Sequence, residues 1–132
     1  MNPYHHAVSS SKKFGGLPED YQAIHDWFDE SKMMYANFRH RALRHHAEGC
    51  YLAERIFGPT ITTSTGKKIP TRWVAEQHIQ EDLGFIPSMQ DWLSNIQAQE
   101  WMRPKFGDAD KPAKRKTTKI EVNFNTPKDS IV

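Results

Sequence analysis

Before Arg103, apolar residues recur at helical spacing along most of the chain. Asn2-Pro3 supplies an N-cap and a proline at the first helical position. They predict a helix that carries His5, His6, Val8 and Phe14 and stops at Gly15-Gly16. A second start at Leu17-Pro18-Glu19-Asp20 leads into Ile24, Trp27 and Phe28, an i, i+3, i+4 stripe that marks a core face. Asp29-Glu30-Ser31-Lys32 reads as a short break, with Asp29 or Ser31 placed to cap the next helix. From Met33 to Phe57 the pattern predicts one long central helix, closed by Gly58-Pro59. On that helix Leu43, His46, Cys50, Ala53 and Phe57 share a face, with Phe38, Ala42 and Gly49 at its margin and His45 about 100° round.

Beyond the central helix the period changes. Pro59 to Thr63 and Lys67 to Pro70 flank Ser64-Thr65-Gly66, the pattern of a small β-hairpin. Thr71 is placed to cap a helix from Arg72 to Leu83 that ends at Gly84. Ser88 and Asp91 form a capping pair for a further helix expected to bury Trp92, Leu93 and Ile96 and to fade near Gln99. The sequence therefore predicts a mainly α domain of four to five helices with one inserted hairpin, over residues 1–102. Residues 103–132 read as a basic linker ending in a strand-like stretch, Lys119 to Asn125, which alternates polar and apolar at period two.

Charge sharpens this division. Residues 1–102 carry a net charge of −2 and all seven histidines, whereas residues 103–132 carry +4. Lys114-Arg115-Lys116 make the tail a candidate for phosphate or partner contact, including weak nucleic-acid contact. Residues 119–125 could add a strand to a partner's sheet. Arg39, His40, Arg41 and Arg44 offer a second basic face, or internal partners for Asp26, Asp29, Glu30 or Glu48. No apolar run approaches the roughly 20 residues that span a bilayer, so no membrane contact is expected. A single cysteine, Cys50, forms no internal disulfide and fits a reducing, cytoplasmic setting, where it packs as a small hydrophobe.

The candidate chemistry lies in the histidines. An imidazole on a core face must be satisfied by a hydrogen bond or by a metal. His78 and Asp82 stand four apart on one helix and project from the same face, with Glu81 beside them. His45 and His46 come from the central helix, His6 from the first and His25 from the second. Histidine with carboxylate is a ligand set for Zn, Fe or Mn in a helical bundle. The expected metal ligands are thus His46, His78 and Asp82, then His6, His25 and His45. Glu48 and Glu81 are candidate general bases if a bound metal activates water. The spacings match no HExxH, paired CxxC or EF-hand pattern, and no phosphate loop is present. Hydrogen-bonded core histidines remain the alternative.

Several stretches resemble a family of small bacterial and phage proteins of unknown function. They are Pro3-Tyr4-His5-His6 with Ser9-Ser10 and Lys12-Lys13, Ile24 to Lys32, Phe38 to His46, Glu76-Gln77-His78, and Glu81 to Gly84. The resemblance covers about residues 2–102, with Cys50 where an aliphatic residue is expected, and it implies no particular activity. The leading expectation is a divalent-metal-binding protein with a His/carboxylate site, extending to the activity of a metal-dependent hydrolase. Its rival is a non-enzymatic adaptor or phage-associated structural protein that uses the tail to hold a partner.

Overall fold

In the computed structural model, which describes residues 1–105, the first cap forms as its chemistry dictates. Asn2 Oδ1 accepts from the His5 amide at 3.0 Å, and Pro3 opens α1, Pro3–Phe14. One turn of 3₁₀ helix, Pro18–Asp20, precedes α2, Gln22–Asp29. Further along come α3, Ala47–Phe57, then β1, Thr60–Thr62, and β2, Lys68–Pro70. The chain continues into α4, Thr71–Leu83, and α5, Met89–Leu93. The two strands pair antiparallel with Ile61 opposite Ile69, as the alternation around Gly66 predicts. The architecture is mainly helical with one hairpin. Met1–Asn95 forms one unit. A second begins at Ile96, and its described part holds a turn of 3₁₀ helix, Glu100–Met102. No helix among the described residues is long and apolar enough to cross a membrane. The expected tail features, Lys114-Arg115-Lys116 and the strand at 119–125, lie outside the described residues.

The core is built between α1, α2, α3 and α4. Tyr21, Ile24 and Phe28 bury against Cys50, Ala53, Val74, Ala75 and Ile79. Each large apolar side chain so buried contributes about 1.5–3 kcal/mol. Arg72 of α4 pairs with Glu54 of α3 at 2.9 Å across the surface of this packing.

The predicted central helix is half as long as its pattern suggests. Residues 30–46 form two stretches of 3₁₀ helix, Glu30–Met33 and Phe38–Leu43, and a turn; only Ala47–Phe57 is α-helical. Burial explains the break. His40, His45 and His46 are all buried, while Leu43 is 54% exposed and Phe38 60% exposed. On a continuous helix those three histidines would point about 100–140° apart, and no single core face could receive them. Turning the backbone brings all three inside, at the expense of Leu43. Asn37 marks the interruption, its side chain accepting from the Arg39 amide at 2.9 Å. The final helix, α5, is capped by Ser88 and Asp91 as expected, but Leu93 and Ile96 are exposed rather than buried.

Candidate metal centre

α4 provides the base of the site. Its inner face carries Val74, Ala75, His78 and Ile79, and Asp82 continues the row one turn beyond His78. Asp29, the last residue of α2, arrives opposite. It stands four residues after His25, the same spacing that joins His78 to Asp82. His45 arrives from the turn before α3, and that turn is tightly held. The His45 amide donates to the Arg41 carbonyl at 2.8 Å, and the His45 carbonyl accepts from Trp92 Nε1 at 2.9 Å. Arg44 donates to the Trp27 carbonyl and to Glu30 Oε1, with its guanidinium 4.3 Å from the centre of the Trp27 ring. Gly49 makes the turn possible: a Cβ there would lie 1.8 Å from the Arg44 carbonyl oxygen.

Four donor atoms converge. His45 Nε2 lies 3.0 Å from Asp82 Oδ2 and 3.6 Å from Asp29 Oδ1. His78 Nε2 lies 3.3 Å from Asp82 Oδ2 and 3.4 Å from Asp29 Oδ1. All four fall within 4.8 Å of one another. A tetrahedral centre with bonds of about 2.0–2.1 Å has edges of about 3.3–3.4 Å, and the four histidine–carboxylate distances are compatible with four of its six edges. The His45 and His78 side chains are fully buried and Asp82 is 1% exposed. Phe28 walls the site, its ring stacked on His78 at 4.9 Å and edge-on to His45 at 5.7 Å. His78 Nε2 has no hydrogen-bond partner among the described residues, although two carboxylate oxygens flank it. Neither oxygen is placed to take a hydrogen from it. Asp29 Oδ2 and His45 Nδ1 are likewise buried and unpaired among the described residues. An orphaned ring nitrogen between two carboxylates suits a cation better than a hydrogen bond.

The electrostatics agree. Burial works against charge on Asp82, yet His45, His6 and His78 around it hold its carboxyl far below the usual carboxylate range. Asp29 is also lowered: burial opposes, but His78 and His45 outweigh it. Burial works against a charged His78, but the adjacent Asp29 and Asp82 carry its imidazolium above the ordinary value. His45 is lowered by burial, with Asp82 opposing. The two carboxylates have positive charge near them in Arg41 Nη2 and the Met1 ammonium, 3.8 and 3.9 Å from Asp82 Oδ1, while Oδ2 of Asp82 and Oδ1 of Asp29 face only the two imidazoles.

A ring of supporting contacts surrounds the four donors. His6 Nδ1 lies 2.8 Å from Glu81 Oε1, and His6 Nε2 lies 3.1 Å from Asp82 Oδ1. Glu81 also accepts from the Ser9 hydroxyl and, at 3.0 Å, from Gln77 Nε2. Burial pushes the Glu81 carboxyl up, but hydrogen bonds from Ser9, His6 and Gln77 leave it below its ordinary value. His25 lies behind His78, their Nδ1 atoms 2.9 Å apart, and burial drives its pKa down to about 2.

Of the residues expected as ligands, the structure brings His45, His78 and Asp82 together. His6 and His25 are adjacent, with both ring nitrogens of each already within hydrogen-bond distance of other groups. His6, His25 and His78 also place one nitrogen each within 4.8 Å, but that set contains no carboxylate to offset an ion's charge, and His6 and His25 are read as supporting groups. His46 does not join the cluster. It is the N-cap of α3, its Nδ1 accepting from the Gly49 amide at 2.9 Å. Glu48 is half-exposed and accepts from the Met89 amide at 2.7 Å, tying α3 to α5. Glu81 is saturated with donors and poorly suited to act as a base. His40, expected on a polar face, is buried against Ser31 at 2.8 Å. Asp26, beside His25, is exposed and accepts from Gln22 at 2.9 Å. Asp29 is the member that sequence reasoning assigns only to capping or ion pairing. Its i, i+4 relation to His25 is the available signal. No curated protein and no solved structure matches the chain. A family model does, over residues 1–102, and the chain belongs to that family, the domain of unknown function DUF6915.

Proposed function

We propose that this protein binds one divalent transition metal, with Asp29 Oδ1, His45 Nε2, His78 Nε2 and Asp82 Oδ2 as ligands. The observation that carries the reading is the set of four donor distances, 3.0, 3.3, 3.4 and 3.6 Å, drawn from α2, the turn before α3 and α4. Two carboxylates offer negative charge to a divalent ion, and two imidazoles with two carboxylates are a ligand set that suits zinc. Structural metal sites use all their positions on protein ligands, whereas catalytic ones keep a position open. Four buried protein donors therefore support a binding or fold-stabilising ion over a hydrolytic one. A lone buried Cys50, its thiol pushed up to about 12 by burial, fits a reducing cytoplasmic setting as part of this reading.

Elemental mass spectrometry on tag-free protein, purified without added metal, tests the proposal. Near-stoichiometric zinc, iron or manganese is expected, with a melting temperature that falls on chelation. A protein that melts at the same temperature with chelator and with added metal would overturn it.

A further inference from the structure

The contacts behind His78 leave its protons a single arrangement. Gln77 Nε2 lies 3.0 Å from the His6 carbonyl and 3.0 Å from Glu81 Oε1. Both are acceptors, so this end of the amide is the NH₂ group and the other end is the carbonyl oxygen. Ser10 Oγ stands 2.6 Å from that oxygen and 3.1 Å from the His6 carbonyl. Neither neighbour can donate, so the hydroxyl hydrogen goes to one of them. Ser10 Oγ then has only a lone pair for its third neighbour, His25 Nε2, at 2.8 Å. His25 Nε2 therefore carries a hydrogen. His25 is fully buried and neither of its ring nitrogens meets a carboxylate, so the ring is neutral and Nδ1 is bare. That bare atom faces His78 Nδ1 at 2.9 Å, and His78 Nδ1 must be the donor.

We propose that Gln77, Ser10 and His25 are positioning residues: a relay that holds His78 protonated at Nδ1 and presents the Nε2 lone pair to a metal. The inference rests on the metal-binding reading above. Nε2 faces Asp29 Oδ1 at 3.4 Å and Asp82 Oδ2 at 3.3 Å; a bare nitrogen there is repelled by both unless a hydrogen or an ion lies between them, and an ion turns all three into ligands. Metal-bound histidines usually donate their second N–H to a carboxylate or carbonyl, which orients the ring and strengthens it as a ligand. Here the acceptor is an uncharged imidazole. It orients His78 without adding negative charge to a site that already holds two carboxylates.

Long-range proton–nitrogen NMR of the imidazole rings, on the full chain without metal and with Zn²⁺ added, reads the relay directly. The expected spectra show hydrogen on His25 Nε2 and on His78 Nδ1 in both states, and none on His78 Nε2 once zinc is present. In competition binding, Ser10→Ala lowers zinc affinity by about 10–100-fold, and Ser10→Thr, which keeps the hydroxyl, recovers most of it. If Ser10→Ala does not fold, the wild-type spectra decide. Zinc uptake with His78 protonated at Nε2 and bare at Nδ1 overturns the relay and spares the metal site. The expected protonation pattern in a chain that takes up no zinc overturns the metal reading, and the relay's role falls with it.

Discussion

His6 grips one oxygen of Asp82 and leaves the other free: Nε2 stands 3.1 Å from Oδ1, while Oδ2 faces His45 and His78. The carboxylate is thus fixed from behind, as supporting groups fix the ligands of metal sites. His6→Ala is expected to weaken zinc binding about 10–100-fold at unchanged stoichiometry. Calorimetric titration checks this; an unchanged affinity would show that Asp82 needs no such support.

Removing a donor is a different loss. Asp29→Asn and Asp82→Asn keep shape but replace an anionic ligand, and each is expected to eliminate the bound equivalent. His46→Ala should leave metal content intact, because His46 Nδ1 serves the Gly49 amide as a cap. Its cost is stability, about 1–2 kcal/mol. Elemental analysis beside urea unfolding separates the two outcomes, and metal loss in the His46 variant would move the site.

Acid should loosen the metal-free protein. Burial lowers His25 and His45 from their ordinary 6.5, and lowers His40 likewise. The unfolded chain then binds more protons, so their contribution is complete above pH 6.5 and is lost as pH falls below it. His78 runs the opposite way, its contribution being lost as pH rises through its raised value. The large lowering of His25, to about 2, sets the direction, and the urea midpoint of chelated protein should be lower at about pH 5 than at about pH 7.5. A midpoint that rises on acidification contradicts this balance.

Gly49 admits no side chain. A Cβ 1.8 Å from the Arg44 carbonyl oxygen must displace backbone, so Gly49→Ala is expected to destabilise by about 3 kcal/mol. The same change should weaken metal uptake, since His45 sits in the displaced turn. Gly66, at φ +87 with nothing near its Cβ direction, gives the contrast: Gly66→Ala strains only the backbone, by about 1–2 kcal/mol. Thermal melts of both variants test the ranking.

Cys50 is buried on the inner face of α3 and its thiol is pushed up to about 12, by burial first. Alkylation by iodoacetamide at neutral pH should therefore await unfolding. Rapid labelling of the native protein would place Cys50 nearer solvent.

Much of this is legible in the chain. Asn2-Pro3, Gly58-Pro59, Ser88 with Asp91 and the Gly66 turn carry their conformations locally, and each takes the form its sequence implies. His78 with Asp82 is legible because helical spacing alone puts them on one face. The stretch from Met33 to His46 is not. Its apolar residues fit a helical period, but the burial of His40, His45 and His46 follows from polar partners on other elements, and hydrophobic patterning cannot see those. Patterning misplaces His46 for that reason, setting it on a core stripe of a helix it in fact begins. Asp29 escapes such a reading because a carboxylate at a helix end has an ordinary local explanation, and only the fold shows what it faces.

The proposed ligands come from three stretches separated along the chain: the end of α2, the turn before α3, and α4. An ion held there closes two loops, one from Asp29 to His45 and one from His45 to His78, as a removable cross-link would. Loop closure grows only logarithmically with length, so the longer loop across the hairpin adds little to the entropic term. Most of the restraint falls on the unfolded chain, and residues 34–44, whose one element is the 3₁₀ helix Phe38–Leu43, are bracketed by Asp29 and His45. On the metal-binding proposal, withdrawal of the ion would remove the cross-link that brackets that segment, and its local stability would then depend on metal supply as well as on temperature.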